Sequence, residues 1–399
     1  MYDYLVIGGG IIGLNIAITL KQKEPTCKVI LIEKERDIAL HSSGRNSGVL
    51  HAGFYYSADS LKARFTRDGN KLMREFCKKR GVAINQCGKV IVATNEEELA
   101  GLDELKKRGN TNGVKLVWLS EEELASRYPN VKTHKKALFS PTTASVDPKE
   151  LTREFAKLAS EIGIVILTNT RYEKKINHEE ILTNQGVIRC KKVINCAGLY
   201  ADKIAKEYGF AKNFIIIPFK GIYLKDKANK SNLQTNIYPV PNLANPFLGV
   251  HYTLTIHNEA KIGPTAIPAF WRENYKGFQN FSQEEMREIL FFEAKLFYTN
   301  AFGFRKLALS EMRKYLKSHL IKLAKKLTWK MDHSGYQEWS APGIRAQLLN
   351  TDTLKLVQDF VVQSDAQSVH VLNAVSPAFT SSIPFANWVV ENHIQKNQH

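Results

Sequence analysis

"YDYLVIGGGIIGLNIAITLKQ", residues 2–22, decides the fold. An apolar run reads as a buried strand, three glycines read as a tight turn, and Ala17 and Leu20 mark the inward face of a helix. Gly8, Gly10 and Gly13 fit G-x-G-x-x-G. The first glycine lets the chain turn, the second lets backbone approach a pyrophosphate, and the third lets helix pack on strand. The helix N-terminus, with Ile11 and Ile12 in its first turn, then turns its positive dipole end toward phosphate. A second strand, "KVILIEK" (28–34), ends at Glu33, twenty residues after Gly13, where an acid binds ribose hydroxyls; Lys34 follows it. Strand, glycine turn, helix, strand and acid together predict a Rossmann-like dinucleotide-binding unit.

A pure nicotinamide enzyme would continue here with another helix and strand. This chain instead enters "HSSGRNSGVLHAGFYY" (41–56), rich in hydroxyls and backbone donors and closing on a histidine and aromatics. Such a loop suits an extended cofactor. A helix follows in "DSLKARFTRDGNKLMREFCKKRG" (59–81), with Ser57 or Asp59 as the expected cap. Ser120 with Glu123 fits a capping box.

Composition sets the outer limits. The chain has 399 residues, 44% hydrophobic and 24% charged, enough for two domains of a soluble globular protein. No apolar run approaches the ~18 residues of a membrane span. The start "MYDYLVIGGG" reads as a strand with no leader, which predicts a cytoplasmic or already processed protein. Five cysteines without C-x-x-C spacing argue against a disulfide framework or a metal site. The net charge of +17 suits an anionic partner or a solvated lysine-rich surface. No RNP, zinc-finger or helix-turn-helix pattern supports nucleic acid as that partner.

Taken with the N-terminal fingerprint, the 41–56 loop resembles the FAD-dependent oxidoreductases of the D-amino-acid oxidase superfamily. Within it, the chain resembles the L-2-hydroxyglutarate oxidase/dehydrogenase family. Further matching runs are "GKVIVAT" (88–94), "PFKGIYL" (218–224), "IYPVPNLANPFLGVHYT" (237–253), "IGPTAIPAF" (262–270), "APGIRAQ" (341–347) and "NAVSPAFTSSIP" (373–384), in order along almost the whole chain. The resemblance implies an α/β fold: a Rossmann-like FAD-binding domain with a second, mixed α+β substrate domain built from insertions. The FAD-binding parts are expected at 1–85, 146–216 and 339–399, and the substrate parts at 86–145 and 217–338.

The resemblance also implies a noncovalent FAD. Ser42, Ser43, Arg45, Asn46, Ser47 and Gly48 would follow its phosphates, ribityl chain and ring, and Tyr172 would approach adenine through its backbone. Ala197 and Gly198 would let the chain pass close by, and Ser376, Pro377, Ala378, Thr380 and Ser381 would meet the pyrimidine edge. There donors stabilise the charge that develops on reduction. His51 and His251 are the candidate bases for the substrate hydroxyl; each is equally a satisfied structural histidine. Arg345 is the candidate for the α-carboxylate, since its planar fork matches one bidentately. Lys220, Tyr223 and Gln347 complete the expected dicarboxylate pocket. The family usually has arginine at 220, an acid at 222 and asparagine at 265; this chain has Lys220, Ile222 and Thr265, which puts selectivity in question. Another small acid or amine (an amino acid, sarcosine or glycerol 3-phosphate) is the alternative substrate.

Between residues 305 and 330, Leu309, Met312, Leu316, Leu320, Leu323 and Leu327 recur at helical spacing. Arg313, Lys314, Lys317, Lys322, Lys325 and Lys326 fill the other faces. A basic amphipathic helix there would rest on an anionic membrane, on the inner face of the cell membrane, and pass electrons to quinone; oxygen is the other acceptor. A surface helix packing its leucines on the domain reads equally well.

Overall fold

The computed structural model describes residues 1–241 and 247–396. The N-terminal unit forms as the sequence dictates: β1 (Tyr2–Ile7), α1 (Ile11–Lys23) and β2 (Val29–Ile32), with β1 and β2 parallel. β1 also pairs in parallel with Gly186–Asn195, and β2 with Val165–Leu167. Parallel strands covered by helices must be apolar on both faces; β2 accordingly reads Val-Ile-Leu-Ile, every residue buried. The strand Ser368–Asn373 from the far end of the chain pairs in parallel with Gly186–Asn195. The closing helix Ala378–Val389 packs on α1 and on α2 (Leu61–Arg80), with Asn15 Nδ2 donating to Ser382 Oγ at 3.3 Å.

A second eight-stranded sheet draws on two separate stretches. Lys89–Val92, Lys136–Ser140 and Val117–Ser120 supply one side. Asn236–Pro239, His251–Leu254, Ala260–Gly263, Leu224–Asp226 and Glu338–Trp339 supply the other. The halves join where Asn236–Pro239 pairs in parallel with Lys89–Val92. A four-stranded sheet is built on the antiparallel pair Phe214–Gly221 and Gly343–Asn350, in register from Phe214↔Asn350 to Gly221↔Gly343. Three of the four sequence-drawn boundaries (145/146, 216/217 and 338/339) fall inside strands. Sheet pairing, not chain segment, is what holds each layer together.

Two local readings need correction. The cap of α2 is Ser60, not Ser57 or Asp59: its Oγ accepts from Ala63 N–H at 3.1 Å. The 305–330 stretch is not one helix. It breaks into Phe304–Arg313, Lys317–Ala324 and a 3₁₀ turn, Lys325–Leu327. The chain turns at Lys314–Leu316, because Leu320 and Leu327 dock into the core beneath the second sheet while Leu309, Met312 and Leu316 stay on the surface. One straight helix cannot serve both. The Ser120/Glu123 capping box forms as read. No helix among the described residues is long and apolar enough to cross a membrane. Residues 242–246 of the 237–253 run lie outside the described residues.

Candidate active site

A cavity of about 900 Å³ runs from the glycine turn to the meeting point of the sheets. Gly8, at φ +109°, has no room for a side chain: a Cβ would lie 2.5 Å from the Cys196 carbonyl oxygen. At Gly13 a Cβ would sit 2.1 Å from the Gly8 oxygen, so α1 can close on β1 only through a glycine. α1 starts at Gly10 with no side-chain cap of its own; Ser43 Oγ, from the following loop, accepts from Ile11 N–H at 2.9 Å. Backbone donors at a bare helix N-terminus suit a phosphate. Glu33 ends β2 on the cavity wall, its carboxylate taking the N–H of Gly9 (2.9 Å) and of Glu35 (3.0 Å).

Beyond Glu33, four charged or titratable groups, Lys34, Glu35, His41 and Glu273, are joined to one another. Lys34 forms ion pairs with Glu35 (3.0 Å) and Glu273. His41 bonds Glu35 through Nε2 (2.9 Å) and the Tyr275 hydroxyl through Nδ1 (2.7 Å). The His41 contact, ahead of the lysine, holds the Glu35 carboxyl at about 2. Tyr172, also on the wall, donates to Glu207 at 2.7 Å.

The 41–56 loop forms the floor and is tied down along its length. Ser42 Oγ donates to Ile344 O (2.8 Å), Asn46 Nδ2 to Ser43 O (2.9 Å), and Arg45 Nε to Leu40 O (2.6 Å). The Arg45 guanidinium lies 4.3 Å from the centre of the Tyr275 ring. Ser376, Pro377, Ala378 and Thr380 face this floor across the cavity, and Thr380 Oγ1 accepts from His51 N–H at 3.1 Å.

At this end the cavity continues into a chamber of about 60 Å³. His51, His251, Tyr223, Arg345, Tyr238 and Phe247 surround it. The Gly249 carbonyl can only accept, so the His251 Nδ1 it meets at 2.8 Å carries the proton and Nε2 keeps a lone pair. Burial pulls the His251 pKa down to about 3, and its ring stacks on that of Tyr238 with centres 3.7 Å apart. Burial, then the charge of Lys89, holds His51 well below the usual histidine value. Burial also pushes the Tyr223 phenol up to about 12. Arg345 lies 5.0 Å from the Phe247 ring and has no ion-pair partner among the described residues. The acid that acts on it electrostatically, Glu311, is already engaged by Lys314 and by Ala266 N–H.

Most of the expected cofactor residues line this cavity: Gly8, Gly10, Ile11, Ile12, Glu33, Lys34, Ser42, Ser43, Arg45, Asn46, Ser47, Tyr172, Ala197 and Gly198, besides the four across from the floor. Gly13, Gly48 and Ser381 do not. Gly13 serves the helix packing; Gly48, at φ +78°, makes a turn against Val146; and Ser381 sits within the closing helix 3.2 Å from Thr66 Oγ1.

Two expected substrate residues also fall away. Lys220 points off the cavity and donates to Asn274 Oδ1 at 3.1 Å, because alternation along its strand gives the cavity Phe219 instead. Gln347 is buried with its amide on Val357 O at 2.8 Å. Of the unusual positions, Ile222 is buried off the wall, while Thr265 lines it and bridges Lys220 O and Ile222 N–H. Sequence reasoning missed Tyr238, Phe247, the Glu35–His41–Glu273 network and Lys89. The last was in view as a lysine opening the apolar strand "KVIV".

Residues 3–392 match the profile of the family described as FAD dependent oxidoreductase. The L-2-hydroxyglutarate dehydrogenase of Escherichia coli strain K12 is 36% identical over 98% of this chain and 92% of its own length. The mitochondrial L-2-hydroxyglutarate dehydrogenase of Homo sapiens is 35% identical over 99% of this chain and 89% of its own. The fold is similar to that of an L-α-glycerophosphate oxidase from Mycoplasma pneumoniae solved with FAD bound, with a TM-score of 0.76, 24% identity and coverage of 98% and 94% of the two chains. With its family profile matched over nearly every residue and a glycine cradle of the matching kind, this chain belongs to the FAD-dependent oxidoreductase family.

Proposed function

We propose that the protein oxidises L-2-hydroxyglutarate to 2-oxoglutarate, passing the C2 hydride to its FAD. The observation that carries this reading is Arg345, a cavity-lining cation without an acidic partner among the described residues, in one chamber with two histidines. The names of the E. coli and human relatives support it.

The residues fit the family's cofactor. Glu33 suits ribose, the Gly8–Gly10 turn and the start of α1 suit the pyrophosphate, and the 42–47 hydroxyls lead toward the chamber. FAD, when bound, supplies the hydride acceptor. We read its attachment as noncovalent: His41, the histidine of the flavin loop that could carry a covalent link, has both ring nitrogens hydrogen-bonded within the chain.

The chain's own groups do the rest. The Arg345 fork grips the α-carboxylate and fixes C2. His51 takes the hydroxyl proton at Nε2, the nitrogen its neighbours leave open. His251, neutral with its proton on Nδ1, offers an Nε2 lone pair to orient the same hydroxyl. Tyr238 and Phe247 supply ring faces to the chamber wall. With Lys220 turned to Asn274, selectivity for the second carboxylate rests on Ser47, Tyr223 and Thr265. Anaerobic mixing with L-2-hydroxyglutarate, its D-enantiomer and L-lactate tests this. Bleaching of the flavin by the first alone is the expected result; bleaching only by an amine, an amino acid or glycerol 3-phosphate would replace the substrate.

The finer question is where the electrons go. We read the surface of Gln283–Thr299 and Phe304–Arg313 as a bilayer contact delivering them to quinone, with the protein peripheral on the inner face of the cell membrane. Phe291, Phe297, Tyr298, Leu309 and Met312 are exposed there, with Leu316 in the turn that follows, among Arg305, Lys306 and Arg313. Apolar side chains beside cations suit an anionic interface. Sedimentation with anionic and neutral vesicles at low salt tests it: binding to the former is expected, and absence from both pellets would leave oxygen or a soluble acceptor.

A further inference from the structure

Lys89 opens the strand Lys89–Val92, in the middle of the second sheet, and has no solvent-exposed surface. Lysine is almost never fully buried unless paired. Here no carboxylate answers it among the described residues. Its Nζ lies 4.1 Å from the Tyr238 ring centre, 5.1 Å from that of Tyr55 and 5.8 Å from that of Phe54. Its polar partner is His51 Nδ1, at 3.3 Å. Cys87, on its own segment, and His251 beyond His51 complete the titratable groups acting on the pair. A strongly hydrated ammonium has thus been drawn out of water and aimed at the back of a cavity-lining histidine.

We propose that Lys89 is the proton-accepting partner of His51 during substrate oxidation. The proposal rests on the hydroxy-acid reading above. The substrate O–H bond breaks and its proton forms an N–H bond at His51 Nε2. The proton on His51 Nδ1 passes to the neutral Lys89 amine, leaving an ammonium. FAD, when bound, would accept the C2 hydride, and the substrate would leave as the 2-oxo acid. Lys89 touches no reacting atom, so it is a positioning residue that acts through the imidazole. Its surroundings suit both states. Burial brings its pKa down to about 7, so the amine is available near neutrality, and the faces of Tyr238 and Tyr55 receive the cation once formed.

The sign of the pH effect follows. Neutral Lys89 is the acceptor, so the rate of flavin reduction rises with pH through about 7. Burial, the larger cause, keeps His51 below the usual histidine value even without Lys89, so in its absence the rate should be nearly flat above about pH 6.

The test uses the FAD-loaded wild type, Lys89→Met and Lys89→Arg, each checked for flavin content and folded circular dichroism. Anaerobic reduction by L-2-hydroxyglutarate is followed from pH 5.5 to 9. In the same proteins without substrate, ¹⁵N-histidine NMR follows the His51 ring, assigned with His51→Asn. Reduction slower by roughly tenfold to a hundredfold in both variants is expected, with the ionisation near neutrality gone. Arginine keeps the charge but cannot take the proton, so it should not rescue; full rescue would reduce Lys89 to a structural cation. In the NMR, Lys89→Met should shift His51 Nδ1 and its titration. An unchanged His51 spectrum, or an unchanged pH profile of reduction, would overturn the proposal. If the wild type is not reduced at all, the substrate reading has failed, and the NMR arm alone decides whether the two residues exchange a proton. If Lys89→Met does not fold, the Lys89→Arg profile and spectrum decide it.

Discussion

The two ends of the cavity handle charge in opposite ways. Around Glu33 the charges are held by the chain: Lys34 has Glu35 and Glu273, His41 has Glu35, and Arg45 is bound by Leu40 O and the Tyr275 ring. Arg345 on the wall of the small chamber and Lys89 behind its His51 have no acidic partner among the described residues, and two histidines line the chamber. A cation removed from water and left unpaired is costly. The cost persists where something else supplies the anion or uses the proton. On the proposed reading, the paired end is a binding scaffold, and the unpaired end is where a charged substrate would complete the structure.

The contrast breaks most sharply at Arg345. Arg345→Met should lower kcat/KM for L-2-hydroxyglutarate by roughly 10²- to 10⁴-fold, the range for losing one partner of a desolvated charge pair. Steady-state kinetics on flavin-loaded protein checks it. Next is His51→Asn, which should slow anaerobic flavin reduction roughly 10²-fold or more with little change in substrate binding, as for a lost general base. At the paired end Lys34→Met should leave the reduction rate unchanged and weaken FAD retention by about tenfold or less, read by flavin release on dilution, because exposed and partly exposed pairs contribute about 1 kcal/mol or less.

A pH scan sharpens the same contrast. His41 holds the Glu35 carboxyl at about 2, below its ordinary value of 4.5. A depressed carboxyl contributes stability that is fully present above the unfolded value and is lost as pH falls toward 2. Flavin retention should therefore stay constant from pH 8 down to 5. The reduction rate, governed by the other end, should already fall below pH 7. The smallest effect is expected at Lys220: Lys220→Met should change kcat/KM by less than about threefold, since its amine bonds Asn274 and does not line the cavity.

How much of this was legible in the sequence divides along the same line. The scaffold end is local. Its turn, helix, strand and acid lie within 33 residues, and each glycine has a steric reason that holds in any such unit. The chemical end is assembled from strands far apart in the chain. His51, Lys89, Tyr238, His251 and Arg345 meet only because Lys89–Val92 pairs with Asn236–Pro239 and Phe214–Gly221 with Gly343–Asn350. Strand alternation then decides which neighbour faces in. That single step turned Lys220 away and brought Phe219 to the wall. The broken 305–330 helix teaches the same lesson, since leucine spacing alone does not say that Leu320 goes inward while Leu316 stays out.

Product binding tests the central claim most directly, because it needs no turnover. 2-Oxoglutarate would be titrated into the oxidised, FAD-loaded protein while the flavin absorbance is followed. The account predicts saturable perturbation in wild type, the same in Lys220→Met, and loss of it in Arg345→Met. Equal binding by Arg345→Met, or loss in Lys220→Met alone, would contradict the assignment of the unpaired end as the substrate site.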